Sequence, residues 1–126
     1  MGAAARPLTE RTILLVEDED AVRRVVARML TEAGFPVVEA RSGDEAVAKI
    51  SLLRGQVRLV VSDVAMPGMS GHALAAMVIE RWPTLPVLLI SGAPPSGDEP
   101  PTFLRKPFTP EALVAAVQRL LPVPKY

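Results

Sequence analysis

The 126-residue chain predicts an α/β fold, a doubly wound five-stranded parallel sheet with helices on both faces. Two observations predict it. Short apolar runs recur that are continuous rather than alternating, as in strands covered on both sides. Segments with helical spacing separate them, and parallel neighbours need right-handed crossovers that place helices on both faces. The length is that of one ordinary domain, able to bury a core without disulfides or a structural metal. We read residues 1–11 as an extension, 12–121 as the domain and 122–126 as a tail, with no internal repeat.

The first strand is "TILLV" at 12–16. A helix follows in which Val22, Val25, Val26, Met29 and Leu30 form one apolar face, Arg23, Arg24, Arg28 and Thr31 lie largely on the other, and Gly34 is the stop signal. The second strand is "PVVEA" at 36–40, and Ala46, Val47 and Ile50 then repeat the helical pattern more weakly up to Gly55. The third strand is "RLVVS" at 58–62, followed from Gly71 by Leu74, Met77 and Val78 until Trp82-Pro83 ends that helix. The fourth strand is "PVLLI" at 86–90 and a short fifth is "TFLR" at 102–105. Thr109 can cap a last helix with Pro110 at its first position, carrying Leu113, Val117, Leu120 and Leu121 inward.

One segment breaks the alternation. "GAPPSGDEPP", residues 92–101, stands where the fourth crossover helix belongs, and four prolines with two glycines predict a loop there instead.

Composition excludes several function classes. Fourteen basic residues balance fourteen acidic ones, so no global field draws nucleic acid or an anionic membrane. Cysteine is absent, which removes disulfides and thiol chemistry and suits the cytoplasm. "MGAAARPLTE" has no apolar core of a signal peptide, Arg6 stands where a myristoylation motif has Ser or Thr, and no stretch is long enough to span a bilayer. We therefore expect a cytoplasmic protein without membrane insertion or direct nucleic-acid contact.

Charge is concentrated locally, in the four carboxylates Glu17, Asp18, Glu19 and Asp20 after the first strand. In an open parallel sheet, functional groups gather at the carboxyl ends of the strands. Those ends carry Glu17-Asp18, Asp63, Ser91 and Arg105-Lys106-Pro107. Three carboxylates brought close repel one another unless a cation intervenes, and Mg²⁺ takes oxygen ligands while keeping room for a phosphate oxygen. Glu17 and Asp18 thus read as a metal seat, with Glu19 or Asp20 capping the first helix. Taken alone, "EDED" is an ordinary acidic helix start; Asp63 and Lys106 at neighbouring strand ends shift the balance.

The ordered set "LLVEDED", "SDVAMPGMSG", "LLISG" and "FLRKPF" resembles the response-regulator receiver domain of two-component signalling, over roughly residues 12–121. The resemblance implies a CheY-like sheet of order 2-1-3-4-5. It implies that Asp63 accepts a phosphoryl group from a histidine kinase or histidine phosphotransfer protein. Mg²⁺ is then held by Glu17, Asp18, Asp63 and the backbone carbonyl of Ala65, with Glu17 long enough to act through water. Lys106, before a cis Pro107, neutralises the phosphoryl charge; Ser91 is the switch hydroxyl and Phe103 the switch aromatic. The chain is then a self-phosphorylating acceptor, with autodephosphorylation, rather than an enzyme, and a monomer. Its style is similar to receivers at the ends of hybrid histidine kinases, and a stand-alone origin is equally open.

Other residues in these motifs have plainer readings. Met66-Pro67 and Gly68 to Gly71 are turn architecture, His72 a solvated residue near a helix start, and Trp82 a packing residue. The rival to phosphorylation is a receiver-like binding module, suggested by the proline loop in place of a helix that contacts partners in the family. An aspartate-dependent phosphatase needs a second acid where Ala65 stands, and a flavodoxin-like cofactor binder needs a phosphate-cradling loop where the acids stand.

Overall fold

The structure, a computed structural model, describes residues 12–93 and 102–121. Five parallel strands form one sheet in the order β2-β1-β3-β4-β5, as expected. The strands are β1 (Thr12–Val16), β2 (Val37–Ala40), β3 (Val57–Asp63), β4 (Val87–Ser91) and β5 (Phe103–Arg105). The helices are α1 (Asp20–Glu32), α2 (Gly43–Leu53), α3 (Gly71–Arg81) and α4 (Pro110–Leu120). The β4–β5 connection from residue 94 to 101, like the terminal segments 1–11 and 122–126, lies outside the described residues.

The continuous apolar runs are explained by two cores, one on each face of the sheet. Along β1, Ile13 and Leu15 face one way and Leu14 and Val16 the other, because successive strand side chains alternate. The first core joins Ile13, Leu15, Leu59, Val61, Leu88 and Ile90 to Leu30 of α1 and to Leu113 and Val117 of α4. The second joins Leu14, Val16, Val60 and Leu89 to Ala46 and Ile50 of α2 and to Leu74 and Val78 of α3. Each fully buried Leu or Val contributes about 1.5–3 kcal/mol, so the central strands, buried on both faces, anchor the fold.

Helix starts follow local chemistry. Ser42, Ser70 and Thr109 occupy the caps of α2, α3 and α4, and their hydroxyl oxygens accept from the amides of Glu45, Ala73 and Ala112. Helix α1 departs from expectation. Glu19 stands at its cap position but its side chain makes no capping bond, and Asp20 pairs with Arg23 instead. The amide of Glu19 is met by Glu17 Oε2 at 3.1 Å.

The face of α1 is also rotated from the expected one. Val25 is 54% exposed, whereas Arg23 is 7% exposed. At about 100° per residue, Arg23, Val26, Ala27 and Leu30 share one arc and Val25 falls far from it. Arg23 can join that arc because its guanidinium finds acceptors under the helix.

Candidate functional site

Register alone brings the strand ends level. Val16 pairs with Ser62, so Glu17 and Asp63, one residue further on, emerge side by side. Asp63 pairs with Ile90 and Ser91 with Arg105, which sets Ser91 and Lys106 on the same edge beyond β3. The Lys106 amide donates to the Ser91 carbonyl at 2.8 Å, and the Lys106–Pro107 peptide bond is cis.

The side chains converge. Lys106 Nζ lies 2.8 Å from Asp63 Oδ1 and 4.0 Å from Glu17 Oε1. Glu17, Asp18 and Asp63 each present an oxygen within 4.8 Å of the others'. Glu17 and Asp63 are 4% and 8% exposed, so two of these three carboxylates are withdrawn from water. Burial raises the pKa of Glu17, and the Asp63 charge adds to that rise, against the Glu19 amide and the Lys106 charge. For Lys106, burial works to lower the pKa, but the hydrogen bond and charge of Asp63, with the charge of Glu17, prevail and raise it.

The arrangement fits a hard divalent cation. Its donors are all oxygens, three carboxylates face one ammonium among the described residues, and the burial of Glu17 and Asp63 limits the water that screens their repulsion.

The loop after β3 is held tightly against the acceptor position. The Gly71 amide donates to the Val64 carbonyl at 2.9 Å. A Cβ on Gly71 would lie 2.4 Å from the Asp63 carbonyl oxygen and 2.8 Å from Val64 Cα, so only glycine admits this approach of α3 to β3. Gly71 is thus more than a turn residue. Ala65 lies exposed in that loop and Met66 is buried beneath it.

The remaining expected residues sit around this centre. Ser91 is buried, and its Oγ accepts from the Ala93 amide at 3.1 Å. Phe103 is half-buried against the core on the α2–α3 side. Trp82 packs on that same core, and His72 is exposed in the first turn of α3. Arg23, absent from the expected site, donates from Nη1 to the Glu17 carbonyl at 3.0 Å.

Residues 13–118 match the family model described as the response regulator receiver domain. The chain belongs to the response-regulator receiver family. This receiver is 39% identical over 117 residues to the sensor kinase CckA of Brucella abortus, covering 87% of the chain and 12% of that protein. It is 38% identical over 114 residues to the response regulator protein FleR of Pseudomonas aeruginosa, covering 85% of the chain and 24% of that protein. The receiver therefore spans only a small part of these relatives. Among solved structures it is similar to the chemotaxis protein CheY4 of Vibrio cholerae, with a TM-score of 0.79, 30% identity and coverage of 88% and 98% of the two chains. It is similar also to the receiver domain of the hybrid histidine kinase CckA, with a TM-score of 0.74, 39% identity and coverage of 87% and 98%. Among the described residues no helix is long and apolar enough to cross a membrane.

Proposed function

We propose that this receiver takes a phosphoryl group onto Asp63 from a histidine kinase or a histidine phosphotransfer protein. The observation that carries the reading is the buried Asp63 carboxylate, 2.8 Å from Lys106 Nζ and ringed by Glu17 and Asp18. An Asp63 carboxylate oxygen attacks phosphorus while the P–N bond of the donor breaks, and the electron pair leaves with the imidazole nitrogen. The product is an acyl phosphate on Asp63 and a free histidine on the donor.

Glu17, Asp18, Asp63 and the Ala65 carbonyl would hold Mg²⁺. Bound there, it supplies positive charge that offsets the charge of the transferring phosphoryl group. Lys106 provides a fixed ammonium on the same side, which costs no reorganisation during transfer. The Ser91 hydroxyl accepts from Ala93, leaving its own hydrogen to donate to a phosphoryl oxygen, and Phe103 follows by turning further into the core. The chain is an acceptor that can lose its own phosphoryl group to water, without a separate substrate to turn over.

The test is intact-protein mass after incubation with acetyl phosphate, with and without Mg²⁺, for the parent and Asp63→Asn. A Mg²⁺-dependent gain of one phosphoryl group, absent from Asp63→Asn, is expected. Equal phosphorylation of the variant would move the acceptor elsewhere.

A further inference from the structure

The ordinary reading of Arg23 is an i,i+3 partner for Asp20 on a helix surface, of little consequence. Its surroundings differ from that. The side chain is 9% exposed, and its planar fork engages three acceptors on three segments. Nη1 donates to the Glu17 carbonyl at 3.0 Å, Nη2 to Asp20 Oδ1 at 2.7 Å, and Nε to Glu39 Oε1 at 2.9 Å. Glu39 belongs to β2, Asp20 opens α1, and Glu17 follows β1.

Glu17 is held at its amide, its carbonyl and one carboxylate oxygen. Its amide donates to the Ala40 carbonyl at 3.1 Å, its carboxylate accepts from the Glu19 amide, and its carbonyl is taken by Arg23. Through that bond a charged side chain grips, inside the protein, the peptide unit joining Glu17 to Asp18.

We propose that Arg23 is a positioning residue for the cation seat, holding the Glu17–Asp18 peptide so that both carboxylates face Asp63. The inference rests on the reading that Glu17, Asp18 and Asp63 hold Mg²⁺. Groups that orient ligands from behind typically change metal affinity about 10- to 100-fold when removed. The sign separates positioning from simple charge. A positive charge near a cation site repels the cation, so removing it would tighten binding if Arg23 acted only through its charge. Loss of positioning weakens binding.

The experiment is a Mg²⁺ titration of the unphosphorylated chain followed by backbone amide NMR shifts at residues 17, 18 and 63–65. Parent, Arg23→Gln and Arg23→Lys are compared. Arg23→Lys keeps the charge, but one ammonium cannot reproduce the three-armed fork. Both variants are expected to raise the Mg²⁺ dissociation constant roughly tenfold, with unchanged amide shifts in α4. Parent-like or tighter binding in either folded variant overturns the proposal, and Arg23→Lys decides it if Arg23→Gln does not fold. A parent that shows no Mg²⁺-dependent shift at these residues overturns the cation seat itself, and the positioning role with it.

Discussion

Replacing Gly71 with alanine probes the contact that seats the acceptor loop. The new Cβ would stand 2.4 Å from the Asp63 carbonyl oxygen and 2.8 Å from Val64 Cα, and must withdraw to at least 3.0 Å from both. Both obstacles are backbone atoms at the end of a buried strand, so no rotamer change relieves them. Overpacking of this kind costs about 1–3 kcal/mol. Alanine returns part of that, up to about 1 kcal/mol, through its better helix propensity and the lower entropy of its unfolded chain. With a cost in the middle of that range, about 2 kcal/mol, a net loss of about 1–2 kcal/mol is expected in urea unfolding followed by circular dichroism. The separation also moves the Asp63 backbone, and misplacement approaching 1 Å costs a reaction on the order of a hundredfold. Acetyl phosphate should therefore label Gly71→Ala at least several-fold more slowly than the parent. Gly68→Ala is the control: Gly68 has φ +76° with open space around it, so backbone strain of about 1–2 kcal/mol is expected without slower labelling. A Gly71→Ala protein as stable and as quickly labelled as the parent would refute the close approach of α3 to Asp63.

Two further expectations concern charge. Lys106→Met removes the ammonium 2.8 Å from Asp63, and labelling by acetyl phosphate should slow on the order of a hundredfold while the fold persists; a rate within a few-fold of the parent would remove Lys106 from the site. The Arg41 amide donating to Glu45 Oε1 holds the Glu45 carboxyl below the usual carboxylate range, with Lys49 adding to the effect against slight burial. A depressed carboxyl pKa stabilises the fold at pH values above its unfolded value, and that stabilisation is lost as pH falls through the folded value. The stability gap between parent and Glu45→Gln should accordingly be present at neutral pH and shrink on acidification, and a gap that widened in acid would contradict it.

Much of the site was legible because topology does the assembling. Once β1, β3, β4 and β5 are recognised as parallel neighbours, Glu17, Asp63, Ser91 and Lys106 must emerge at one edge, since each directly follows or ends its strand. Short-range chemistry was legible too: Thr109 with Pro110 starts α4, and Trp82-Pro83 stops α3, through local sterics and hydrogen bonds alone. Arg23 was not legible. Hydropathy sorts an arginine to the polar side of a helix, and only the acceptors on β2 and on the β1–α1 turn make its burial favourable.

The same division holds for the chain as a whole. The sequence by itself determined which runs are strands, which are helices, and which side chains the strand ends carry, because apolar periodicity and capping act within a few residues. Only the tertiary structure decided the rotation of α1 that exposes Val25 and buries Arg23, the absence of a side-chain cap at Glu19, and the contact that requires glycine at 71. Those features depend on atoms that packing brings together from distant positions, and no local pattern encodes how closely two packed elements will meet.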